Sequence, residues 1–443
     1  MRALPGLPSR TPGILEPLSG LARQFRRKRV FIPLAVVVAC LLGALGAALA
    51  FRLGHRTVGG LVTSLSSATV IAAAPPPVAP RHRVRTRPAA RAEACWRNFG
   101  GDPARTLARP AFKLGPPGKS LWARGLHDLM EYPPSFCGGD LYVNLEHGRT
   151  MAINATTGRI IWSRKAGGFT ASTPAIAGAR LIVSSHDGTV TALRRSDGRL
   201  LWQLKTDAPV ESSPVVVNGL VYVGAADGKL YALNVRTGRP RWVYDTGGRI
   251  SSSPSVSEGR VCITSYSGLI ICLHAGNGQR IWAVAVRRDL VLYESFYASA
   301  PSDGKRLFTV SRAGKVLALD AASGHTVWTY DLGTTAYATP AVANGRAFVG
   351  DFAGRLNAFR TTNGQLLWRA SVHGRILAPA LVVGDLVFFS TLEGQTYAAD
   401  TVDGKIVWHV DVGKYSPGIA TNKHYYLSLN GLLVAYDVRH PVK

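Results

Sequence analysis

The sequence predicts an all-β protein: an eight-bladed β-propeller of four-stranded antiparallel blades, with an N-terminal transmembrane helix. Tryptophan recurs in the 443-residue chain at spacings of 40, 40, 40, 40, 46, 40 and 40 residues, and a glycine stands four residues before each one. A unit of about 40 residues that contains four short strands is typical of a propeller blade. Ahead of the repeats, residues 30–51 contain no charged side chain, which indicates the helix.

One repeat, residues 210–242, shows how a unit is expected to fold. Short apolar runs in VESSPVVVNGLVYVGAADGKLYALNVRTGRPRW are separated by the turn dipeptides NG, DG and TG, so the unit is predicted to be a meander. The first strands of the units are rich in Ser, Ala, Thr and Pro and suit the crowded axis, whereas the bulky tryptophan suits the outermost strand. The tryptophans with this structural role are Trp122, Trp162, Trp202, Trp242, Trp282, Trp328, Trp368 and Trp408.

Closure of the ring follows from counting strands. Seven complete units end at Trp162 through Trp408, and only three further strands follow them. The missing fourth strand is expected from residues 119–123, so that the closing blade combines residues 409–443 with this N-terminal strand. Such a ring leaves no free sheet edge. Seven blades, with the N-terminal strand packed elsewhere, is the alternative.

The chain ahead of the repeats divides into three segments. Residues 1–29 are basic and place seven Lys and Arg residues before the uncharged run at residues 30–51. This run is long enough to cross a hydrocarbon core of about 30 Å, and the basic side is expected to stay in the cytoplasm. Residues 52–94, rich in Pro, Ala and Arg, are predicted to link the helix to the propeller at residues 95–443. A cleaved signal peptide is the alternative.

The formal net charge is +26, from 52 Lys and Arg residues against 26 Asp and Glu residues. The first 94 residues hold 14 of the basic residues and 2 of the acidic ones, so the excess is concentrated there. A basic surface attracts anionic lipid or an anionic wall polymer. A solvated surface without a partner is the alternative, and no nucleic-acid partner is expected.

Four of the five cysteines lie outside the uncharged run at residues 30–51, and none has the spacing of a zinc site. Cys262 and Cys272 fall on the second and third strands of one blade. Cys95 precedes the propeller, and Cys137 precedes the second strand of the first unit. In an oxidising compartment these cysteines are candidates for two disulfides, Cys262–Cys272 and Cys95–Cys137. Four free thiols are the alternative.

The stretches AINATTGRIIW, ALNVRTGRPRW, ALDAASGHTVW and AADTVDGKIVW share one pattern. It resembles the PQQ-like propeller repeat over about residues 95–443, which implies that the tryptophans dock against neighbouring blades. One branch of that family comprises dehydrogenases that bind pyrroloquinoline quinone and calcium on the axis, and the other is non-catalytic and BamB-like. The opening CWRNFGGDPARTLARP also looks like the lead-in of secreted bacterial proteins with these repeats.

The sequence departs from the dehydrogenase branch. It has no vicinal Cys-Cys pair, and its repeats lack the long insertions of those enzymes. Asp187 and Asp227 precede glycines at hairpin turns, which accounts for them without catalysis. No catalytic, cofactor-binding or metal-binding residue is therefore assigned, and the BamB-like branch is favoured. Quinone and calcium are implied by the resemblance alone.

The repeats contain one insertion of six residues, in the loop at residues 287–297. Loops on a rigid scaffold often carry recognition, and Tyr and Arg are frequent interface residues. The loops on the same face of the propeller as this insertion are therefore predicted to bind a partner. Ordinary loop packing is the alternative. The candidate residues are Glu131, Tyr132, Phe169, Glu211, Arg249, Arg287, Arg288, Tyr293, Glu294, Tyr297, Tyr337, Arg375, Lys414 and Tyr415.

These observations favour a single-pass membrane protein whose extracytoplasmic propeller is a protein-interaction scaffold in the cell envelope. A module that senses or binds a cell-wall polymer or small ligand is the second hypothesis, and a quinone-dependent oxidoreductase is the third. The chain is accordingly not expected to be an enzyme, and its partner is expected to be an envelope protein.

Overall fold

The computed structural model describes residues 95–170, 172–287, 293–429 and 431–438. Every regular element in these ranges is a β-strand, and the strands form eight sheets. The prediction of an eight-bladed all-β propeller is confirmed. The segments at residues 1–29, 30–51 and 52–94 lie outside the described residues. Within the described ranges, no helix has the length and apolar character needed to span a membrane.

Each blade is an antiparallel meander, and the first strands of adjacent blades lie together around the axis. Blades are numbered in chain order, with strands given from the axis outward. Blade 1 comprises Ser135–Cys137, Asp140–Asn144, Arg149–Asn154 and Ile160–Lys165. Blade 2 comprises Ala175–Ala177, Arg180–Ser184, Thr189–Arg194 and Leu200–Lys205. Blade 3 comprises Val215–Val217, Leu220–Gly224, Lys229–Asn234 and Pro240–Asp245. Blade 4 comprises Ser255–Ser257, Arg260–Thr264, Leu269–His274 and Arg280–Ala285.

The remaining blades differ slightly. Blade 5 comprises Arg306–Val310, Lys315–Asp320 and Thr326–Asp331, with a single bridge from Ser302 to Leu307 in place of a first strand. Blade 6 comprises Ala341–Ala343, Arg346–Gly350, Arg355–Arg360 and Leu366–Ser371. Blade 7 comprises Leu381–Val383, Leu386–Ser390, Thr396–Asp400 and Ile406–Val410, and the short strand Ala108–Arg109 pairs with its first strand in parallel.

Blade 8 closes the ring by joining the two ends of the propeller. Its inner strands are Ile419–Ala420, His424–Leu429 and Leu432–Val438. The outermost strand is Pro117–Gly125, which pairs antiparallel with Leu432–Val438. This strand extends two residues beyond each end of the stretch expected from the sequence. The pairing gives blade 8 the same four-stranded form as its neighbours.

Ser and Thr residues just ahead of the innermost strands serve the packing of blade against blade. The Ser213 hydroxyl accepts a hydrogen bond from the Thr173 backbone N–H at 3.0 Å, and the Ser253 hydroxyl accepts one from the Ser213 N–H at 2.9 Å. The same relation continues from Ser253 to Ser299 and from Ser299 to Thr339, each at 3.0 Å. A ladder of buried hydroxyls therefore satisfies backbone groups that no strand partner reaches.

The repeating tryptophans join each blade to the next one. Seven of them donate the indole N–H to a backbone carbonyl of the following blade, while Trp408 packs against the rings of Tyr425 and Tyr436. The donor–acceptor pairs are Trp122–Ala155 (3.1 Å), Trp162–Arg195 (2.9 Å), Trp202–Val235 (3.0 Å), Trp242–Ala275 (3.0 Å), Trp282–Ala321 (3.2 Å), Trp328–Thr361 (2.9 Å) and Trp368–Thr401 (3.1 Å). The docking that the family resemblance implies is present at these positions.

Two disulfides are formed, as the sequence predicted. Cys262 and Cys272 are directly opposite one another on adjacent strands of blade 4, and their bond lies in the core. Cys95 is bonded to Cys137 at the end of the first strand of blade 1. The second bond fixes the chain at the point where it reaches the ring.

The lead-in, residues 96–109, crosses one end of the axis and contacts most of the blades. Its backbone carbonyls accept hydrogen bonds from the first strands or the bridge of blades 1, 2, 4, 5, 6 and 7, at distances of 2.6–2.9 Å. The donors are Phe136, Ile176, Val256, Ser302, Val342 and Val382. The lead-in therefore provides hydrogen-bond acceptors for backbone N–H groups at the inner edges of these blades, and it covers the axis on this side.

Arg105 is the buried centre of the lead-in, with no exposed surface. Its guanidinium donates hydrogen bonds to the carbonyls of Pro254 at 2.8 Å, Phe99 at 2.7 Å and Ser213 at 2.6 Å. Burial lowers the pKa of this guanidinium to about 9, an effect that Asp102 opposes, so the group is charged at neutral pH. The charge is balanced by carbonyl dipoles from the segments that precede blades 3 and 4.

Candidate functional site

The axis opens on the face opposite to the lead-in. This insertion face carries the loops that join each outer strand to the next blade, including residues 286–301 with the six-residue insertion. An axial cavity of about 310 Å³ lies at its centre, and Phe99 of the lead-in reaches it from the opposite side. The lining residues are Phe99, Glu131, Tyr132, Pro133, Ser251, Ser252, Ser253, Tyr266, Tyr297, Ser299, Tyr337, Thr339, Leu377, Ala378, Pro379 and Tyr415.

Five tyrosines on the loops of the insertion face line the cavity: Tyr132, Tyr266, Tyr297, Tyr337 and Tyr415. Tyr297 is central: its ring is nearly perpendicular to that of Tyr266, with centroids 6.4 Å apart, and to that of Tyr337, at 6.0 Å. The hydroxyls of Tyr297 and Tyr132 are 3.3 Å apart. Burial raises the pKa values of Tyr132 and Tyr297, so both stay neutral at physiological pH.

Charged groups are sparse in the lining. Glu131 is its one charged residue, and burial together with the nearby Glu146 raises the pKa of the Glu131 carboxyl. Just outside, the Arg249 guanidinium donates to the Glu211 carboxylate and lies over the Tyr266 ring at 5.5 Å from its centroid. The centre of the insertion face is therefore aromatic and weakly acidic.

The structure brings five of the candidate residues to the cavity: Glu131, Tyr132, Tyr297, Tyr337 and Tyr415. Others lie around it. Phe169 is 38% exposed and packs edge-on against His186, with ring centroids 4.6 Å apart. Arg375 is paired with Glu393 at 2.9 Å, and Lys414 lies over the ring of Tyr415 at 5.2 Å.

The candidate residues within the insertion lie in different environments. Arg287 and Tyr293 form a bridge, with the Arg287 guanidinium 5.4 Å from the Tyr293 ring centroid, and Tyr293 is 48% exposed. Glu294 is only 3% exposed and pairs with Lys315 at 3.5 Å, so it does not fit the prediction of a partner-contacting residue. Its place next to a bridged residue turns its side chain inward. Arg288 lies outside the described residues.

Sequence reasoning missed Phe99, Tyr266 and the three serines at 251–253. Tyr266 had a usable signal, since it opens the central hairpin of blade 4, and central hairpins share a face with the insertion. The corresponding residue of blade 6, Phe352, lies near Tyr337 with ring centroids 5.3 Å apart. Phe99 had no such signal, because its position depends on the path of the lead-in.

A family model described as outer membrane protein assembly factor BamB matches residues 113–292, 268–371 and 313–439. Together these matches run from residue 113 to residue 439 and cover well over half of the chain. The chain belongs to this PQQ-like propeller family. No curated protein matches it.

Solved structures similar to this member of the family include proteins of two kinds. BamB from Moraxella catarrhalis has 15% identity and a TM-score of 0.61, over 73% of this chain and 99% of that one. A europium-containing methanol dehydrogenase has 14% identity and a TM-score of 0.63, over 76% and 90%. A quinohemoprotein alcohol dehydrogenase from Comamonas testosteroni has 13% identity and a TM-score of 0.63, over 79% and 82%. At these identities the likeness shows the fold.

The quinone and calcium that the PQQ-like family implies can be tested against the axial cavity. A quinone that carries carboxylates requires cationic partners, and calcium requires several clustered oxygen ligands. The lining contains no Lys or Arg and only one carboxylate, Glu131. The residues of this cavity therefore do not fit these groups.

The aspartates of the hairpins have structural partners in this family member. Asp187 accepts hydrogen bonds from the backbone of Thr189 and Gly168, and Asp227 accepts from Lys229 and the Tyr231 hydroxyl. Asp351 is fully buried and accepts from Arg355 and Asn357, while Asp303 pairs with Arg306. All four shape turns, which agrees with the turn interpretation of the DG dipeptides.

One group in the described residues has the composition of a cation site. Asp128, Glu146 and His147 bring oxygen and nitrogen atoms within 4.8 Å of one another. The Asp128 carboxylate already accepts hydrogen bonds from the His147 ring at 2.8 Å and from the His147 backbone at 3.0 Å. These bonds account for the cluster as the anchor of a surface turn.

Proposed function

We propose that this protein is a membrane-anchored, extracytoplasmic propeller that acts as a protein-interaction scaffold in the cell envelope. The observation that carries the proposal is the aromatic axial cavity on the insertion face, together with the exposed side chains of Phe169 and Tyr293 on loops of the same face. Exposed aromatic residues around a central recess are typical of a binding surface. The matching family, that of an outer membrane protein assembly factor, supports a role in assembly rather than catalysis.

Anchoring and location form a separate part of the proposal. The uncharged run at residues 30–51 and the basic residues before it support a single span with the N-terminus in the cytoplasm. Two disulfides support an oxidising compartment for the propeller. Protease added to the outside of spheroplasts is expected to digest the propeller while leaving a cytoplasmic control protein intact. A protected propeller would rule out this topology.

Site-directed photocrosslinking tests the interaction surface. The photoreactive residue p-benzoylphenylalanine would replace Phe169 or Tyr293 on the insertion face, and Lys305 as the control. Lys305 is exposed on the hairpin of blade 5 that follows the Ser302 contact with the lead-in, on the other face. In native membranes, both positions on the insertion face are expected to crosslink to the same envelope protein, and position 305 is not. Equal crosslinking from all three positions, or none from either position 169 or position 293, would contradict the proposed surface.

A further inference from the structure

The walls of the axial cavity are rich in tyrosine rings. Tyr297 is within a few degrees of perpendicular to both Tyr266 and Tyr337, with interplanar angles of 84° and 82°. Edge-to-face pairs of this kind hold the rings in fixed positions around the cavity, and the faces of tyrosine rings are electron-rich. Such faces attract cations within about 6 Å of the ring centroid.

The chain supplies a negative charge at the same place. Glu131 lies in the cavity lining, and among the described residues its carboxylate forms no hydrogen bond or ion pair. The neighbouring carboxylate, Glu211, is instead neutralised by Arg249. The cavity therefore combines an aromatic wall with one carboxylate that has no counter-ion of its own.

We infer that the axial cavity binds the cationic head group of a lysine or arginine side chain presented by the partner. The inference deepens the proposed function and rests on it. A volume of about 310 Å³ is at the low end of the roughly 300–1,000 Å³ found for ligand pockets, so it suits one head group rather than a folded segment. The charge of Glu131 selects a cation over a neutral group of the same shape.

The rim contributes an opposing charge that makes the site testable in both directions. The Arg312 guanidinium lies 6.0 Å from the Tyr337 ring centroid, outside the cavity lining, on an exposed residue. A positive charge there repels a bound cation. Removal of Glu131 should therefore weaken cation binding, and removal of Arg312 should strengthen it.

Choline and its neutral isostere 3,3-dimethylbutanol are suitable probes, because they differ in charge but hardly in shape. Calorimetric titration of the full-length chain in detergent is expected to give at least fivefold tighter binding for choline. Glu131→Gln should weaken choline binding about fivefold and leave the isostere unchanged. Arg312→Gln should tighten choline binding, and an unchanged melting temperature would show that both variants are folded.

Several results would overturn the inference. These are equal affinity for choline and its isostere, preferential binding of an anion such as acetate, or a folded Glu131→Gln variant that binds choline as the wild type does.

The link to the partner has its own test, since saturating choline should suppress the crosslink from position 293. If that crosslink forms and choline neither binds nor suppresses it, the interaction surface stands and the cation site fails. If choline binds and neither position 169 nor position 293 crosslinks, the interaction surface fails instead.

Discussion

The indole ring of Trp162 occupies the space that a side chain at position 198 would need. A β-carbon built on Gly198 would lie 2.6 Å from Trp162 Cε3, closer than any real contact, and the Gly198 φ angle of +71° also favours glycine. The same relation links Trp122 to Gly158 and Trp202 to Gly238. From Gly158 to Gly404, the glycine of each repeat therefore accommodates the tryptophan of the preceding repeat as well as forming its own turn.

Gly198→Ala is expected to destabilise the propeller by about 3 kcal/mol, because it combines backbone strain with overpacking against Trp162. Gly178 in the same blade is the matched control, since it has a φ of +59° but no atom within 4 Å of an added β-carbon. Gly178→Ala should cost only the strain, about 1 kcal/mol. Thermal unfolding of both variants measures the difference, and equal costs would show that tryptophan docking does not depend on the glycine.

The repeat made most of the fold predictable. The 40-residue period and the turn dipeptides can be read directly from the sequence, and they predicted the blades and the cysteine pairs. A count of the strands predicted that residues 119–123 complete the last blade. The course of the lead-in is not local. Arg105 contacts Ser213 and Pro254, which are 108 and 149 residues away, and nothing in the sequence around Arg105 indicates those partners.

Arg105→Met is expected to lower stability by about 3 kcal/mol, because three buried carbonyls lose the hydrogen bonds that the guanidinium donates. Arg97→Met is the control, since Arg97 is an exposed residue of the same lead-in. It should change stability by less than about 0.5 kcal/mol. Urea unfolding followed by tryptophan fluorescence measures both, and a stable Arg105→Met variant would show that the Arg105 side chain is dispensable to the ring.

The two disulfides should contribute unequally. Cys95–Cys137 closes a separation of 42 residues and Cys262–Cys272 a separation of 10. On the chain-entropy model, their replacement by alanine pairs costs about 4 and about 3 kcal/mol, respectively. Melting temperatures of the two double variants under non-reducing conditions test this order. The opposite order would mean that packing in blade 4 outweighs loop closure.

Acid should weaken the turn that contains Asp187. Burial alone would raise the pKa of this carboxyl, but hydrogen bonds from Ser185, Thr189 and Gly168 lower it to about 2. The unfolded chain, with the ordinary value of 3.8, then binds the proton first as the pH falls. The stabilisation is therefore present above about pH 4 and is lost between about pH 4 and pH 2.

Asp187→Asn is expected to lower stability at pH 7 by roughly 1 kcal/mol, a value reduced for the exposure of the residue. The difference from the wild type should shrink as the pH falls from 4 to 2. Asp403→Asn, at an exposed outer turn, controls for the loss of one charge. Melting curves across this pH range test the prediction, and a difference that does not change with pH would refute it.

The candidate site was only partly predictable. Glu131, Tyr132, Tyr297 and Tyr337 could be placed on one face because loop connectivity alternates between faces. Burial could not be predicted, because whether a loop residue points toward the axis or into the blade depends on a single residue of register. Tyr297 and Glu294, three residues apart, show both outcomes.

The disulfide between Cys95 and Cys137 determines how mechanical force enters the ring. A pull on the chain from its N-terminal side reaches Cys95 first, and the bond transmits the tension to the first strand of blade 1. The lead-in beyond it carries no load while the bond is intact. After reduction, the same tension would act on the two 2.8 Å hydrogen bonds between Trp96 and Phe136. The backbone hydrogen bonds of the lead-in would then break one after the other toward Arg105.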